Sequence, residues 1–478
     1  MPSPSRFLAL AALLASATAL VPPGRKGVPN APVPDNTTAP TPDNALIVHT
    51  ASQVYQKSGP SVDAPPNASI PPTTVTAVDG TLTNTTVADA GSSRRRDAGR
   101  LGKRDSGFEK LFDGLPVGQH DASIEGTAYL TYTVVNNATY NVQACLDWCA
   151  GINGCVFVNV FYEFNNYLLD FVFSEKSNLK CAAYGDIHTA AEKTNFGGQA
   201  SYPPGTQCFP FLVGNETIPL TYITQSSGWG LDSLVDPTTP DGYEPVFGPT
   251  GGANNAPGYM GFAFIDKYDV DACAQLCNTR GVDPIGGGCA YFNIWRAVVD
   301  GLPTTYTCSM YYLVADESTA VNFGQGDLVV TFSRGYSRIS VLPDGGFEGY
   351  NGCTDFCFTA SYSNWIGTSP PSGNWDATIF FYKPSGRSPP AKKLSTIVGT
   401  NYVIQVFFLS SFSGAQLEAN AKVDILWNGV RVGGTSGFTP AWTFVEAPAV
   451  GTGNDTLSFV GGSVLAWTFI DDVFVYAA

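Results

Sequence analysis

Apolar residues change texture three times along the chain. From Phe7 to Ala15 they form one short continuous run. Between residues 20 and 104 large apolar residues are sparse among Pro, Thr, Asn, Ala and Asp. Such a stretch cannot bury enough surface to offset the entropy of ordering it, so it is expected to be disordered. From Phe108 the apolar positions return with definite periods. Ala128–Val134 and Val156–Tyr162 read as strands, the second as the central one of its sheet. Between them Val142, Leu146 and Cys149 line one face of a helix from about Asn141, a suitable N-cap, to Ala150. Tyr167–Phe173 is a further apolar run. The arrangement then recurs, with Tyr259–Ile265 and Ala290–Trp295 as strands around a helix over Asp269–Thr279, capped by Asp269 or Asp271 and stopped at Gly281. Beyond residue 343 the helical period is gone. Alternating stretches at Asp376–Tyr382, Tyr402–Leu409, Lys422–Trp427, Asp455–Val460 and Val464–Tyr476, with turn signals such as Asn428-Gly429 and Gly433-Gly434, argue for a sandwich of the jelly-roll kind.

Cysteines mark the same repeat. Cys145, Cys149 and Cys155 in the first copy match Cys273, Cys277 and Cys289 in the second, and each third cysteine leads into a strand that carries an asparagine, Asn159 or Asn293. A fourth cysteine follows in each, Cys181 and Cys308, with a tyrosine three residues on and Asn-Phe-Gly fourteen residues on. This is a duplicated, disulfide-stapled module, although four cysteines allow three pairings and spacing alone does not select one. Cys353 and Cys357 sit close together in a polar segment and are expected to pair, which leaves Cys208 free, paired with one of those two, or linking two chains. The chain thus divides into 1–19, a leader at 20–104, modules at 108–229 and 243–338, and a β domain at 343–478, with a Pro-containing linker at Gly230–Asp241.

Composition adds compartment and excludes some partners. Arg6, the apolar run and Ala17-Thr18-Ala19 make a signal peptide cut after Ala19; the run is too short to span a bilayer, and no membrane partner is expected. The cysteine content fits an oxidising, extracellular or cell-wall location. The leader ends in Lys103-Arg104, read as a dibasic processing site, so that residues 20–104 are a propeptide or, uncut, a stalk. Sequons stand at Asn36, Asn67, Asn84, Asn137, Asn215 and Asn454, the last three expected on surface loops. A net charge of −15 leaves no basic groove for a phosphate backbone, and nucleic acid is excluded as a partner.

Catalytic chemistry is not legible. His120 and His188 are the histidines beyond the processing site, and neither stands beside a nucleophile. The Cys-x3-Cys pairs do not have zinc spacing. Asp471 and Asp472, as strand neighbours, are expected on opposite faces and cannot jointly flank one glycosidic bond. The Gly286–Gly288 run lacks the following Lys-Ser/Thr of a phosphate cradle and enters a strand. Carbohydrate binding needs aromatic faces, for which Trp375 in a turn-rich stretch is the best platform, followed by Trp365, Trp427 before its turn, and Trp442.

A helix bearing Cys-x3-Cys, followed by Cys-x-x-Phe/Tyr and a fourth cysteine, resembles the PAN/Apple fold of one helix on a small antiparallel sheet. That resemblance implies the pairs Cys145–Cys181, Cys149–Cys155, Cys273–Cys308 and Cys277–Cys289. The wider sequence, most strongly Tyr268–Gly281, Tyr291–Arg296, Thr305–Met310 and Gly324–Leu328, resembles secreted fungal proteins of the fruit-body specific type, which implies an exported, non-catalytic protein. The C-terminal domain resembles galactose-binding-like jelly-roll carbohydrate-binding modules. In many of those a structural calcium joins the first and last strands, which here implies Glu348 and Asp471, with Asp472 as the other candidate. No cofactor beyond that calcium is expected. The reading is a multidomain chain of two small α+β modules and an all-β sandwich that binds polysaccharide or glycoprotein glycans. The alternative is a structural or adhesive protein whose modules bind extracellular proteins or other copies of itself, and the third reading is a glycan-active enzyme.

Overall fold

The computed structural model describes residues 58–61, 64–78, 81–86, 107–136, 138–166, 169, 177–198, 220–283, 286–343, 345, 361–362, 365–366, 394–411, 414–461, 466 and 468–478. The expected signal peptide, the expected Lys103-Arg104 processing site, Cys208, Cys353, Cys357, Glu348, Trp375 and the sequons at Asn36, Asn137 and Asn215 lie outside these residues.

In chain order the leader contributes β1 (Thr74–Val78) and β2 (Thr81–Thr86). Module one contains β3 (Glu109–Phe112), β4 (Ser123–Ile124), β5 (Tyr129–Val135), helix α1 (Val142–Cys149), β6 (Phe157–Phe164), β7 (Ser177–Tyr184), β8 (Lys193–Asn195) and β9 (Tyr222–Gly230). Its antiparallel sheet runs β3-β9-β6-β7-β5, with β4 and β8 as a separate ribbon. Module two contains β10 (Tyr243–Thr250), β11 (Tyr259–Ile265), α2 (Val270–Thr279), β12 (Tyr291–Val299), β13 (Leu302–Tyr311), β14 (Gly324–Gln325) and β15 (Leu328–Arg338). Its sheet repeats the same order, β10-β15-β12-β13-β11, and then continues into β1 and β2.

The helices form where the apolar period and caps place them. Asn141 accepts from Ala144 N at 3.2 Å and Asp269 from Ala272 N at 2.9 Å, each satisfying an N-terminal donor. Cys145, Leu146 and Cys149 form the buried face of α1, and Cys273, Ala274 and Cys277 that of α2. Four disulfides fasten these faces to the sheets. Cys145–Cys181 and Cys273–Cys308 reach a neighbouring strand, while Cys149–Cys155 and Cys277–Cys289 tie each helix end to the start of the central strand. These are the pairs that the PAN/Apple resemblance implies.

Two further contacts are duplicated atom for atom. Asn159 accepts from Ile124 N at 2.9 Å and donates to Ser226 Oγ and Ser227 O; Asn293 accepts from Asn254 N at 2.9 Å and donates to Ser333 Oγ and Arg334 O. Each buried amide thus ties a loop and an outer strand to the central strand. Tyr140 and Tyr268, each just before its helix cap, donate to the carbonyls of Gln225 and Phe332. Those two residues have left-handed φ of 52° and 53° and sit at matching bulges in β9 and β15.

The described residues of the leader, between 58 and 86, depart from the expectation of disorder. They lie along both modules, because order here comes from backbone hydrogen bonds to sheet edges rather than from an apolar core of their own. Asn84 lies within β2 and Asn67 is an exposed leader residue.

After module two the chain enters the last domain at Ser340–Leu342, slightly before the Pro343 boundary read from the sequence, with Leu342 already in that domain's core. Its strands are β16 (Ser361–Tyr362), β17 (Trp365–Ile366), β18 (Asn401–Ser410), β19 (Lys422–Trp427), β20 (Val430–Ser436), β21 (Thr439–Val450), β22 (Leu457–Gly461) and β23 (Phe469–Ala477). Sheets β21-β18-β23 and β20-β19-β22 share one apolar core, so the described residues form a two-layer sandwich of three strands on three. Gly286–Gly288 meets this domain. A side chain on Gly288 would start 2.2 Å from Gln405 Nε2, and one on Gly287, whose φ is +84°, 2.8 Å from Phe444. The glycine run is a joint that lets the Gln405 and Phe444 side chains of the sandwich pack directly on the module-two backbone.

Beneath the exposed Asn454, Asp455 is fully buried and knots three loops, accepting from Thr396 Oγ1, from Thr452 N at 2.8 Å, from Thr452 Oγ1 at 2.6 Å and from Asn428 Nδ2 at 2.5 Å. Burial raises its pKa, but these bonds outweigh that and bring it down to about 2.

Two predictions follow from these buried groups. Asn159→Ala or Asn293→Ala leaves three partners unsatisfied and is expected to destabilise by about 2–4 kcal/mol, read as a lower denaturant midpoint. Because the folded pKa of Asp455 lies below that of an unfolded aspartate, its stabilisation is complete above about pH 4 and lost as pH falls through about 2. Compared with wild type, Asp455→Asn is expected to show a loss of stability over that window smaller by about 2 kcal/mol, measured by denaturant unfolding at stepped pH.

Candidate functional site

The site arises from a mismatch of lengths in module one. An α-helix of eight residues is about 12 Å long, whereas a strand of eight residues is about 26 Å, and α1 and β6 each have eight. The helix covers Val158 and Val160 on its side of the sheet. Tyr162 and Phe164 continue the same face by strand alternation, and α1 is too short to cover the whole of it. Here Phe164 stands between Ser177 of β7 and Tyr222 of β9 in one cross-strand row, with Tyr162 opposite Thr224 in the next.

The result is an open cleft of about 480 Å³ lined by Tyr162, Phe164, Tyr222, His120, Thr224 and Gln225 among others. Phe164 and Tyr222 stack in parallel with ring centres 4.8 Å apart, and His120 lies 5.0 Å from Tyr222 with its ring tilted against it. Tyr140 packs 5.5 Å from Tyr162, and its hydroxyl lies against Val160 O, Gln225 O and Ser227 Oγ, holding the bulge that presents Gln225. One rim is the turn Pro116–Gln119, closed by Gln119 N to Pro116 O at 3.1 Å, with Gly118 at φ +87° in the position that favours glycine. Val117 at its tip is 81% exposed. Flat apolar rings thus stand beside hydroxyl, amide and imidazole groups. The arrangement suits a ligand with one apolar face and many hydroxyls.

Module two uses the equivalent surface differently. Counting from the third cysteine of each copy, Arg296 replaces Tyr162 and Val298 replaces Phe164; from the sheet register, Val329 replaces Tyr222 and Phe332 replaces Gln225. Arg296 reaches across to module one and forks onto the buried Asp186 carboxylate at 2.8 and 2.5 Å, where Tyr306 also donates. Phe332 packs against module one's core. Burial works to lower the Arg296 pKa, and the adjoining Asp186 carboxylate more than offsets it, so the pKa rises and the guanidinium stays charged. One copy's sheet end is therefore a joint and the other's is open.

In the C-terminal domain Trp375 and Glu348 lie outside the described residues, and the described candidates stand on different strands. Trp427 is a core residue, its Nε1 bonded to Val450 O at 3.0 Å; the turn after it faces solvent but the indole does not. Trp442 is half-buried on β21, and Trp365 lies in the short β16–β17 ladder. Asp471 and Asp472 do not alternate across β23. A bulge with Asp472 at φ 44° breaks the alternation, both side chains are buried, and Asp471 Oδ1 accepts from Asp472 N at 2.9 Å. Among the described residues no cluster of three or more His, Cys, Asp or Glu side chains could hold a metal ion, so these two aspartates alone do not make a calcium site. His188 is buried between Glu192 and Thr127 O, inside the structure rather than facing a substrate. No helix among the described residues is long and apolar enough to cross a membrane.

The cleft was missed because its aromatics are spread over two strands and a loop. The parallel Tyr140-Asn-Val-Gln-Ala-Cys145 and Tyr268-Asp-Val-Asp-Ala-Cys273 was the readable signal for the tyrosine clamp beside it. Comparison of the chain with family models, with curated proteins and with solved structures gives no match.

The joint gives a direct prediction. Asp186→Ala strands the Arg296 guanidinium and is expected to destabilise by about 3–5 kcal/mol, whereas the double change Asp186→Leu with Arg296→Met is expected to cost much less. Denaturant midpoints of the three proteins measure the difference.

Proposed function

We propose that the protein is an exported, non-catalytic binding protein that holds extracellular or cell-wall carbohydrate in the module-one cleft. The observation that carries this reading is the stacked Phe164–Tyr222 pair in an open cleft beside Thr224, Gln225 and His120. A pyranose ring has an apolar face for the aromatic rings and a rim of hydroxyls for the polar groups. The four disulfides and the signal-like N-terminus support export. The helix-on-sheet modules with their cysteine pairing support the PAN/Apple-like reading, and the two-layer last domain supports a scaffold or secondary binding role of the carbohydrate-binding-module type. Calcium bridging Glu348 to the last strand stays part of this proposal for that domain alone.

A second reading, adhesion to proteins or to further copies, has one specific support. In both copies the Asn-Phe-Gly turn is held by its asparagine, Oδ1 accepting from Gly197 N at 3.0 Å and from Gly324 N at 3.2 Å. Each turn displays its phenylalanine to solvent, Phe196 at 61% and Phe323 at 65% exposure.

Titration with soluble chitin and β-glucan oligosaccharides, together with a glycan array, distinguishes the readings. Wild type is expected to bind at least one class. Tyr222→Ala and Phe164→Ala are each expected to weaken it about tenfold or more, since a stacked ring contributes about 0.5–1.5 kcal/mol beyond its buried area. Phe196→Ser and Trp442→Ala should leave it unchanged, with and without chelator. No retention on any polysaccharide overturns the carbohydrate reading.

A further inference from the structure

The outer edges of the two sheets and the leader form one strand-binding interface. In module one the open edge is β5, and the leader runs beside it. Ser58 and Gly126 exchange backbone hydrogen bonds of 3.0 and 2.9 Å, Asn67 N donates to Tyr132 O at 2.7 Å, and Thr131 Oγ1 donates to Ala68 O at 2.8 Å. The Tyr132 hydroxyl donates to Ala64 O, and Trp148 of α1 donates to Asn67 Oδ1 at 3.2 Å. Gly59 fits against Ile124 O, which a side chain's first carbon would approach to 2.9 Å.

In module two the open edge is β11, and β1 pairs with it, Val75 opposite Ile265 and Val78 opposite Ala263. Thr74 N donates to Asp266 Oδ1 at 3.1 Å and Asp266 N donates to Thr74 O at 3.2 Å. The buried Thr73 hydroxyl donates to Asp269, the residue that caps α2, and Lys267 Nζ donates to Pro72 O at 3.2 Å. Val75 is fully buried in module two's core. Strand addition takes its affinity from main-chain bonds and its selectivity from alternate side-chain pockets, and the pocket side chains here are Thr73 and Val75.

We propose that the leader is a bound peptide ligand of the two sheet edges, and that a chain cut at its dibasic site keeps residues 58–86 as a non-covalent second chain. The surface fits an extended, uncharged peptide with Thr-Thr-Val at the positions of residues 73–75. A propeptide that held the modules only during folding would be released; this one covers two strand edges that would otherwise pair with other chains.

The test uses the full chain with the recognition sequence of a site-specific protease inserted after Arg104. After complete cutting, native size-exclusion chromatography with intact-mass detection is expected to find the leader co-eluting with the modules, and separating only in denaturant. Val75→Asp, which places a carboxylate in the apolar pocket, is expected to release the cut leader while the four disulfides keep the modules folded. A wild-type leader that elutes by itself under native conditions overturns the proposal. Retention of the Val75→Asp leader to the wild-type extent overturns the assignment of its binding to the β11 edge.

Discussion

A sheet longer than the helix that covers it governs this molecule. Each module closes a five-stranded sheet with one short helix, and the Cys145–Cys181 and Cys273–Cys308 links hold the helix over one end of it. The remaining face and the outer strand edge are left to other partners. Module two's free face docks on module one through Arg296 and Asp186, and its glycine loop docks on the sandwich. Both outer edges are covered by the leader. Module one's free face is left as an open cleft rimmed by the Pro116–Gln119 turn, and it carries aromatic rings where its twin carries valines.

Much of the scaffold was readable before the fold was known. Helix positions, caps and central strands follow from cysteine spacing, Asn141, Asp269 and strong periods, because those signals are local. β7 was not readable. All eight of its residues are buried, including Asn178 and Lys180, so it shows no alternation. Lys180 is tolerated there because its ammonium pairs with Glu163 at 2.7 Å and lies 4.6 Å over the Tyr132 ring. The leader escaped notice because its order comes from bonds to module residues 63 to 196 positions away, for which composition holds no signal.

The site was the least legible part for the same reason. Indoles before turns look exposed in a sequence, yet Trp427 fills the sandwich core. Phe164 and Tyr222 become one surface only through the β6–β9 register and the bulge at Gln225. Duplication is what makes the site stand out. Where two copies share the buried asparagine, the tyrosine clamp and the disulfides, the positions at which they differ mark the surfaces put to different uses.

Hydrogen–deuterium exchange on the full chain with a saturating oligosaccharide tests this account most directly. Protection concentrated at residues 116–120, 160–164 and 222–226, with the sandwich unchanged, is the predicted result. Protection confined to residues 394–478, with the module-one cleft unaffected, would contradict it.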